Sequence, residues 1–399
     1  MSRKPQRAGY TLRDMFVVVT IIGVLLAVCM PAIRYAQEQA RQRQCRNNLA
    51  SIVLGLQNYH DCYRMLPMGA MHSGENTGGE PPLTAQLGPS WCFGILPFRE
   101  FNIYYDRIMV SQHAGGPQRH QFCADDMNAH LASMWPSSPK AGTKRPPPRT
   151  LSSWALEYLH CPSSPLPRME TPTGPLALSS YVGITGGCDL DAKSSDYRLA
   201  TGLTMPELVA PESNRAYRNL DKGTGAAPGG IVTSSGMLPP CEHRRISHCT
   251  DGTSNTFIVA EQSDWLRDRN VRVKTGYHGD PGWTVGGTGP GGGFLSGTTR
   301  VDPVPQLRTP GDPPKPWGAD CWNLTTVRYR PNLKRVLGAA PLPGCSENHG
   351  INNPLQSPHP GGLLAACLDG SVQFVSESTD FAVLLRFAIR DDGQFVIVD

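Results

Sequence analysis

A chain of 399 residues with a formal net charge of +4, 18% charged residues, 42 glycines and 37 prolines is long enough for one large domain or two ordinary ones. Its composition favours short strands joined by many turns over a helical bundle. Arg3, Lys4 and Arg7 all precede an apolar run, so without the first nine residues the charge falls by three, to +1; the remaining basic residues are scattered and accompany no recognition motif, which excludes nucleic acid as an expected partner.

The first predicted element is that apolar run. Residues 15–33 read MFVVVTIIGVLLAVCMPAI, without a charge. As a helix the run would be about 28 Å long, close to the roughly 30 Å hydrocarbon core of a bilayer. A secretory signal would have a shorter apolar core and then a small-x-small cleavage site. Here the run passes through Pro31 into RYAQEQARQRQCRNNLASIVLGLQNYHDCYRML, in which Cys45, Leu49, Ile52, Leu56, Tyr59 and Tyr63 recur at spacings of three and four. That spacing makes one apolar stripe suited to docking on a globular body. The pattern predicts a single helix from about residue 14 to about residue 65, half in a membrane and half packed on the protein, with a bend at Pro31 and an end before Pro67. Four basic residues precede the run (Arg3, Lys4, Arg7, Arg13) and four follow it (Arg34, Arg41, Arg43, Arg46), so the positive-inside rule leaves the orientation open.

Beyond Pro67, loops rich in Pro and Gly are expected over about 68–90, 115–149, 161–175 and 280–318. Residues 91–101, WCFGILPFREF, read as an apolar core segment. Strand candidates are short: 181–184, 256–260, 363–367 and 372–375. No βαβ rhythm and no fixed-period repeat is present. The expected fold is α+β, a long N-terminal helix packed on a mainly antiparallel sheet with long Pro/Gly-rich loops.

Several clusters carry chemistry-bearing residues. In SPHPGGLLAACLDGSVQFVSESTDF, Asp369-Gly370 separates two apolar runs, the pattern of a tight hairpin. Gly370 then supplies positive φ and Asp369 the turn. His359 lies far down the opposite strand, either hydrogen-bonded where that strand begins or paired functionally with Asp369. Asp251 to Thr256 concentrates side-chain oxygens, as a calcium site or a self-bonded turn would. Cys241, His243, His248 and Cys249 form C-x-H-x4-H-C, which suits either zinc at an unusual spacing or a Cys241–Cys249 disulfide. Cys321 with Cys345 is the other plausible nearby pair. Twelve cysteines without a CxxC pair, in a turn-rich body behind an apolar helix, suggest an oxidising compartment. The Gly-rich stretch 286–294 lacks the Lys-Ser/Thr of a phosphate-binding loop, and no GxSxG or HExxH occurs. Neither an enzyme nor a cofactor is expected.

The start of the chain, with Gly9, Tyr10, Thr11-Leu12, Asp14 and an apolar helix containing Pro31, resembles a type IV prepilin or a pseudopilin of type II secretion. The resemblance implies cleavage after Gly9 by a prepilin peptidase and methylation of the new Tyr10 amine. It also implies the cytoplasmic (inner) membrane, a cytoplasmic N-terminus, an extracytoplasmic body and other pilin-like subunits as neighbours. Asp14 falls at the fifth mature position, where that family carries glutamate. A carboxylate at the edge of hydrocarbon needs a partner, either the N-terminal amine of a neighbouring subunit or the adjacent Arg13. With His359, nine residues and then Asp369-Gly370, and with NNLASIVLGLQNYHDCY, SWCFGILPFREF, SYVG, TDGTSNTFIVAEQS, NLTTVRY and ENHGINNPLQSPHPGG, the chain resembles a planctomycete-type family of uncharacterised prepilin-like proteins with a C-terminal H-X9-DG motif. That likeness runs from Gly9 almost to the last residue. It implies a basic leader (1–9), a helix (10–66) and a body (67–399), and a non-catalytic structural or assembly subunit. The alternative is a tethered solute- or glycan-binding protein, with Trp283, Trp317 and Trp322 as stacking platforms.

Overall fold

The computed structural model describes residues 12–72, 87–99, 156–166, 169–170, 176–188, 216–218, 231–240, 242–268, 323–337, 342, 344–345 and 350–393. The leader and Tyr10 lie outside the described residues, as do most of the long loops and all three candidate stacking tryptophans; Asp14 is placed as helical backbone.

Helix α1 spans Leu12–Tyr63 as one element of 52 residues with Pro31 inside it. Its two halves face different surroundings. From Leu12 to Tyr35 the large apolar side chains are bare, with Val28 68% exposed. From Cys45 onward the predicted stripe is buried: Cys45, Leu49, Ile52, Val53 and Leu56 all have 0% exposure. Tyr59 is half-buried and Tyr63 largely exposed, so the docked stripe fades before the helix ends. Arg64 adopts a left-handed conformation (φ 57°), which an α-helix cannot continue through, and Pro67 follows.

The body is built on five strands: β1 Tyr181–Gly187, β2 Phe257–Glu261, β3 Leu324–Val327, β4 Gly362–Cys367 and β5 Val372–Ser376, in spatial order β3-β1-β2-β4-β5. Three of the four pairings are antiparallel, and β3 lies parallel to β1, with a register shift between Thr325 and Thr326. Both faces are covered. In β4, Leu364 and Ala366 join the cluster beneath α1, whereas Leu363, Ala365 and Cys367 join the cluster beneath α3 (Phe381–Ala388). A strand buried on both faces reads as a continuous apolar run, hence LLAAC. On the far side Phe257 stacks on Phe387, with ring centroids 4.4 Å apart, and Asp380 caps α3 by accepting from Ala382 N–H.

The segment expected as apolar core folds as α2 (Trp91–Ile95) and a 3-10 turn (Leu96–Arg99), with Trp91 wholly buried and its indole N–H donating to Asn323 O at 2.9 Å. The predicted C-terminal hairpin forms. Asp369 Oδ1 accepts from Ser371 N–H at 2.8 Å and from the Ser371 hydroxyl at 2.7 Å, and Gly370 takes φ 91°.

Candidate functional site

The disulfide expectation is corrected. Cys249 and Cys345 carry free thiols: Cys249 Sγ donates to Thr256 Oγ1 at 3.1 Å and Cys345 Sγ to Asn352 O at 3.3 Å. Their expected partners, Cys241 and Cys321, lie outside the described residues. The disulfide present among the described residues instead joins Cys45 on α1 to Cys161, across 116 residues of sequence, with Cα atoms 5.3 Å apart. Short sequence distance was the wrong guide, because the helix stripe is carried to a loop of the body by packing.

Around that bond the fold assembles residues from four separate stretches. Cys161 follows a 3-10 turn (Glu157–Leu159) that is tied to the sheet by Ser180 N–H donating to Leu159 O at 2.7 Å. Asn48, three residues on from Cys45 and therefore on the same helix face, donates to His160 O at 3.1 Å and to the Tyr181 hydroxyl at 3.2 Å. Glu261 ends β2 opposite Tyr181. The segment leading to His359 is pinned there by Gln356 N–H donating to Glu261 O (3.1 Å) and Ser263 N–H donating to Gln356 O (2.8 Å).

His359 stands at the centre. Its side chain is fully buried. Its Nδ1 lies 2.6 Å from Glu38 Oε1, its Nε2 lies 3.3 Å from Glu261 Oε1, and Cys161 Sγ is 3.6 Å from Nε2. Glu38 is on α1, seven residues before Cys45 and so two turns along the same stripe, and it also accepts from the Ser163 hydroxyl at 3.0 Å. Glu261 is wholly buried; Oε2 accepts from Leu364 N–H at 2.9 Å, whereas Oε1 accepts no hydrogen bond. Burial pulls the His359 imidazolium down, but Glu261 and then Glu38 outweigh it and hold the ring above the usual histidine range. Burial, reinforced by the Glu261 charge, pushes the Tyr181 phenol well above its ordinary value.

The H-X9-DG motif is thus split in space. Asp369 and Gly370 shape the hairpin turn, while His359 clasps a glutamate 321 residues away in sequence. Sequence reasoning weighed His359 at a strand entrance against a pairing with Asp369, and missed Glu38, Glu261 and Cys161. Glu38 alone left a signal, its position on the α1 stripe.

The other candidate clusters resolve into local structure. Asp251 Oδ1 and Oδ2 accept the backbone N–H groups of Gly393 and Asp392, at 2.9 and 2.6 Å, Asn255 Nδ2 donates to Asp251 O, and Gly252 has φ 97°. This is the self-bonded turn reading, with the carboxylate spent on fastening the C-terminal segment. His243 Nδ1 lies 2.9 Å from Leu66 O, and His248 Nδ1 accepts from Arg245 N–H, so these two rings are engaged with separate backbone partners.

A model of the family described as "Protein of unknown function (DUF1559)" matches residues 34–382. A search of curated proteins and a search of solved structures each return no match.

Proposed function

The chain belongs to the DUF1559 family, and from that premise we propose that it is a membrane-anchored, prepilin-like subunit with a large extracytoplasmic body. It is released from its leader by cleavage after Gly9, methylated at Tyr10, and acts without catalysis in anchoring or assembly. One observation carries the reading: a single unbroken helix is bare over its first half and buried over its second. Among the described residues α1 is long and apolar enough to cross a membrane. An exposed Val, Leu or Ile forgoes about 1.5–3 kcal/mol of burial, so a row of them from Met15 to Ile33 needs hydrocarbon or the helices of neighbouring pilin-like subunits.

Two further features support it. A disulfide that closes the joint between helix and body suits an oxidising, extracytoplasmic compartment. In the dense group of titratable side chains described above, His359 is 2% and Glu261 0% exposed and Glu38 alone reaches solvent, with 24% of its side chain exposed, which suits a clasp better than a site that must admit substrate.

The test is mass mapping of the N-terminus of the protein purified from its native membrane. A mature chain beginning at methylated Tyr10 is expected. A chain still beginning at Met1, or cut beyond the apolar run, would refute processing by a prepilin peptidase and leave the helix as a plain anchor or a signal.

A further inference from the structure

The joint between α1 and the body has the composition of a metal site as well as of a disulfide. Cys45 Sγ, Cys161 Sγ, Glu261 Oε1 and His359 Nε2 all lie within 4.8 Å of one another, and all four residues are buried. Thiolate, imidazole and carboxylate in a set of four are the ligands zinc takes in tetrahedral geometry. With metal–ligand bonds of about 2.0–2.3 Å, tetrahedral geometry separates sulfur from nitrogen by about 3.5 Å and nitrogen from oxygen by about 3.3 Å. The structure has 3.6 Å between Cys161 Sγ and His359 Nε2, and 3.3 Å between Nε2 and Glu261 Oε1. The two sulfurs would have to part to about 3.8 Å in the same geometry, and the remaining separations start from within 4.8 Å.

Two further observations point to a ligand. Glu261 Oε1 is a fully buried carboxylate oxygen that accepts no hydrogen bond and faces His359 Nε2. In the disulfide form that oxygen meets only the His359 ring, at 3.3 Å from Nε2, whereas a divalent cation in place of the Nε2 proton would meet it at about 2.0–2.2 Å. On the other side of the ring, His359 Nδ1 sits 2.6 Å from Glu38 Oε1. A ring N–H given to a carboxylate lets the opposite nitrogen bind a metal once it gives up the proton that faces Glu261, which is the outer arrangement that orients metal-ligating histidines.

We propose that the dithiol form of this chain binds one Zn²⁺ through Cys45, Cys161, Glu261 and His359, with Glu38 as the positioning residue for His359. Binding converts two thiols, the His359 imidazolium and Zn²⁺ into a zinc dithiolate with a neutral imidazole ligand and three released protons. A small-molecule disulfide oxidant reverses the clasp: the two thiolates give two electrons to the oxidant, the Cys45–Cys161 bond forms, two protons are taken up by the oxidant's thiolates, and Zn²⁺ leaves. Metal and disulfide are therefore alternative fastenings of the same helix to the same body, selected by thiol redox state. The site is independent of what happens to the first nine residues.

The experiment uses the detergent-solubilised full chain, reduced anaerobically with a phosphine, stripped with chelator and titrated with Co²⁺ and then Zn²⁺. One Co²⁺ per chain with thiolate-to-metal charge-transfer absorption is expected, displaced by Zn²⁺. The oxidised chain should show no such absorption, and adding a disulfide oxidant to the zinc form should release the ion. Cys45→Ala should abolish the signal, Glu261→Gln should weaken binding at least tenfold, and Glu38→Gln should weaken it roughly 10–100-fold while keeping the thiolate bands. Reduced wild-type chain that stays folded by circular dichroism yet binds no ion overturns the proposal. So does binding unaffected by Cys45→Ala, which would locate the ion at other thiols. If reduction unfolds the chain and Zn²⁺ does not restore it, the proposal also fails, because a metal closing the same loop would restore the fold.

Discussion

Replacing both disulfide cysteines, Cys45→Ala with Cys161→Ala, isolates what the covalent clasp contributes. The bond spans 116 residues. In the chain-entropy picture, a crosslink closing a loop of that length removes unfolded-state entropy worth about 5 kcal/mol at 25 °C. Both side chains are wholly buried in the cluster beneath α1, so lost packing adds to the effect in the same direction. With a urea m-value of about 3 kcal/mol per molar, the unfolding midpoint should fall by roughly 1.5 M. The assay is a urea titration of the detergent-solubilised protein in chelator, followed by tryptophan fluorescence, which reports on buried Trp91, alongside a non-reducing peptide map of the parent protein. An unchanged midpoint at an unchanged slope, or a map showing two free thiols at Cys45 and Cys161, would refute the clasp and with it the account of how the helix is held.

Other outcomes follow from the same packing. Leu49→Ala and Leu364→Ala face each other's layer across the α1–sheet interface, both at 0% exposure; each should cost about 2–5 kcal/mol in urea unfolding, and hydrogen exchange should rise along the docked half of α1 while the bare half is unchanged. Gly370→Ala meets no atom within 4 Å but must hold φ 91°, a cost of roughly 1–2 kcal/mol, whereas a Cβ at Gly362 would lie 2.2 Å from Val375 O and 2.7 Å from the Phe374 ring, so Gly362→Ala should lose the β4–β5 hairpin; equal midpoints for the two variants would contradict the turn assignment. In alkylation at pH 8 without denaturant, exposed Cys62 should label, while Cys92, whose thiol burial pushes up to about 12, and Cys345, pushed above the usual range by burial, should stay unmodified until the protein unfolds. Rapid labelling of Cys92 would show that α2 does not pack on α1.

Family-scale features were legible because they are local. The helix needed only the length of an apolar run and a three-four repeat, and the β4–β5 hairpin needed only two apolar runs about Asp369-Gly370. Even the change of character along α1 is written in its order of residues, lipid-like before Arg34 and striped after it. The parallel placement of β3 beside β1 was not legible, since a strand of four residues, LTTV, carries no mark of its neighbour's direction.

The clasp lay beyond sequence reasoning for a different reason. Glu38, Cys161, Glu261 and His359 come from a helix, a turn, a strand end and a strand entrance, and no spacing links them. Within their stretches Cys161 and Glu261 read as ordinary, a loop cysteine and a strand-terminal acid, while Glu38 shows only its place on the helix stripe and His359 only its place in a motif that pointed toward Asp369. By itself the sequence determined that a long apolar-then-striped helix would precede an α+β body closed by an Asp-Gly hairpin, because periodicity and turn chemistry act over a few residues. Only the tertiary structure decided that Cys45 bonds Cys161 and that His359 answers to Glu38 and Glu261 instead of Asp369. Burial of the α1 stripe on the sheet brings those groups within a few ångströms, and contact across hundreds of residues is set by packing in space, which no local pattern encodes.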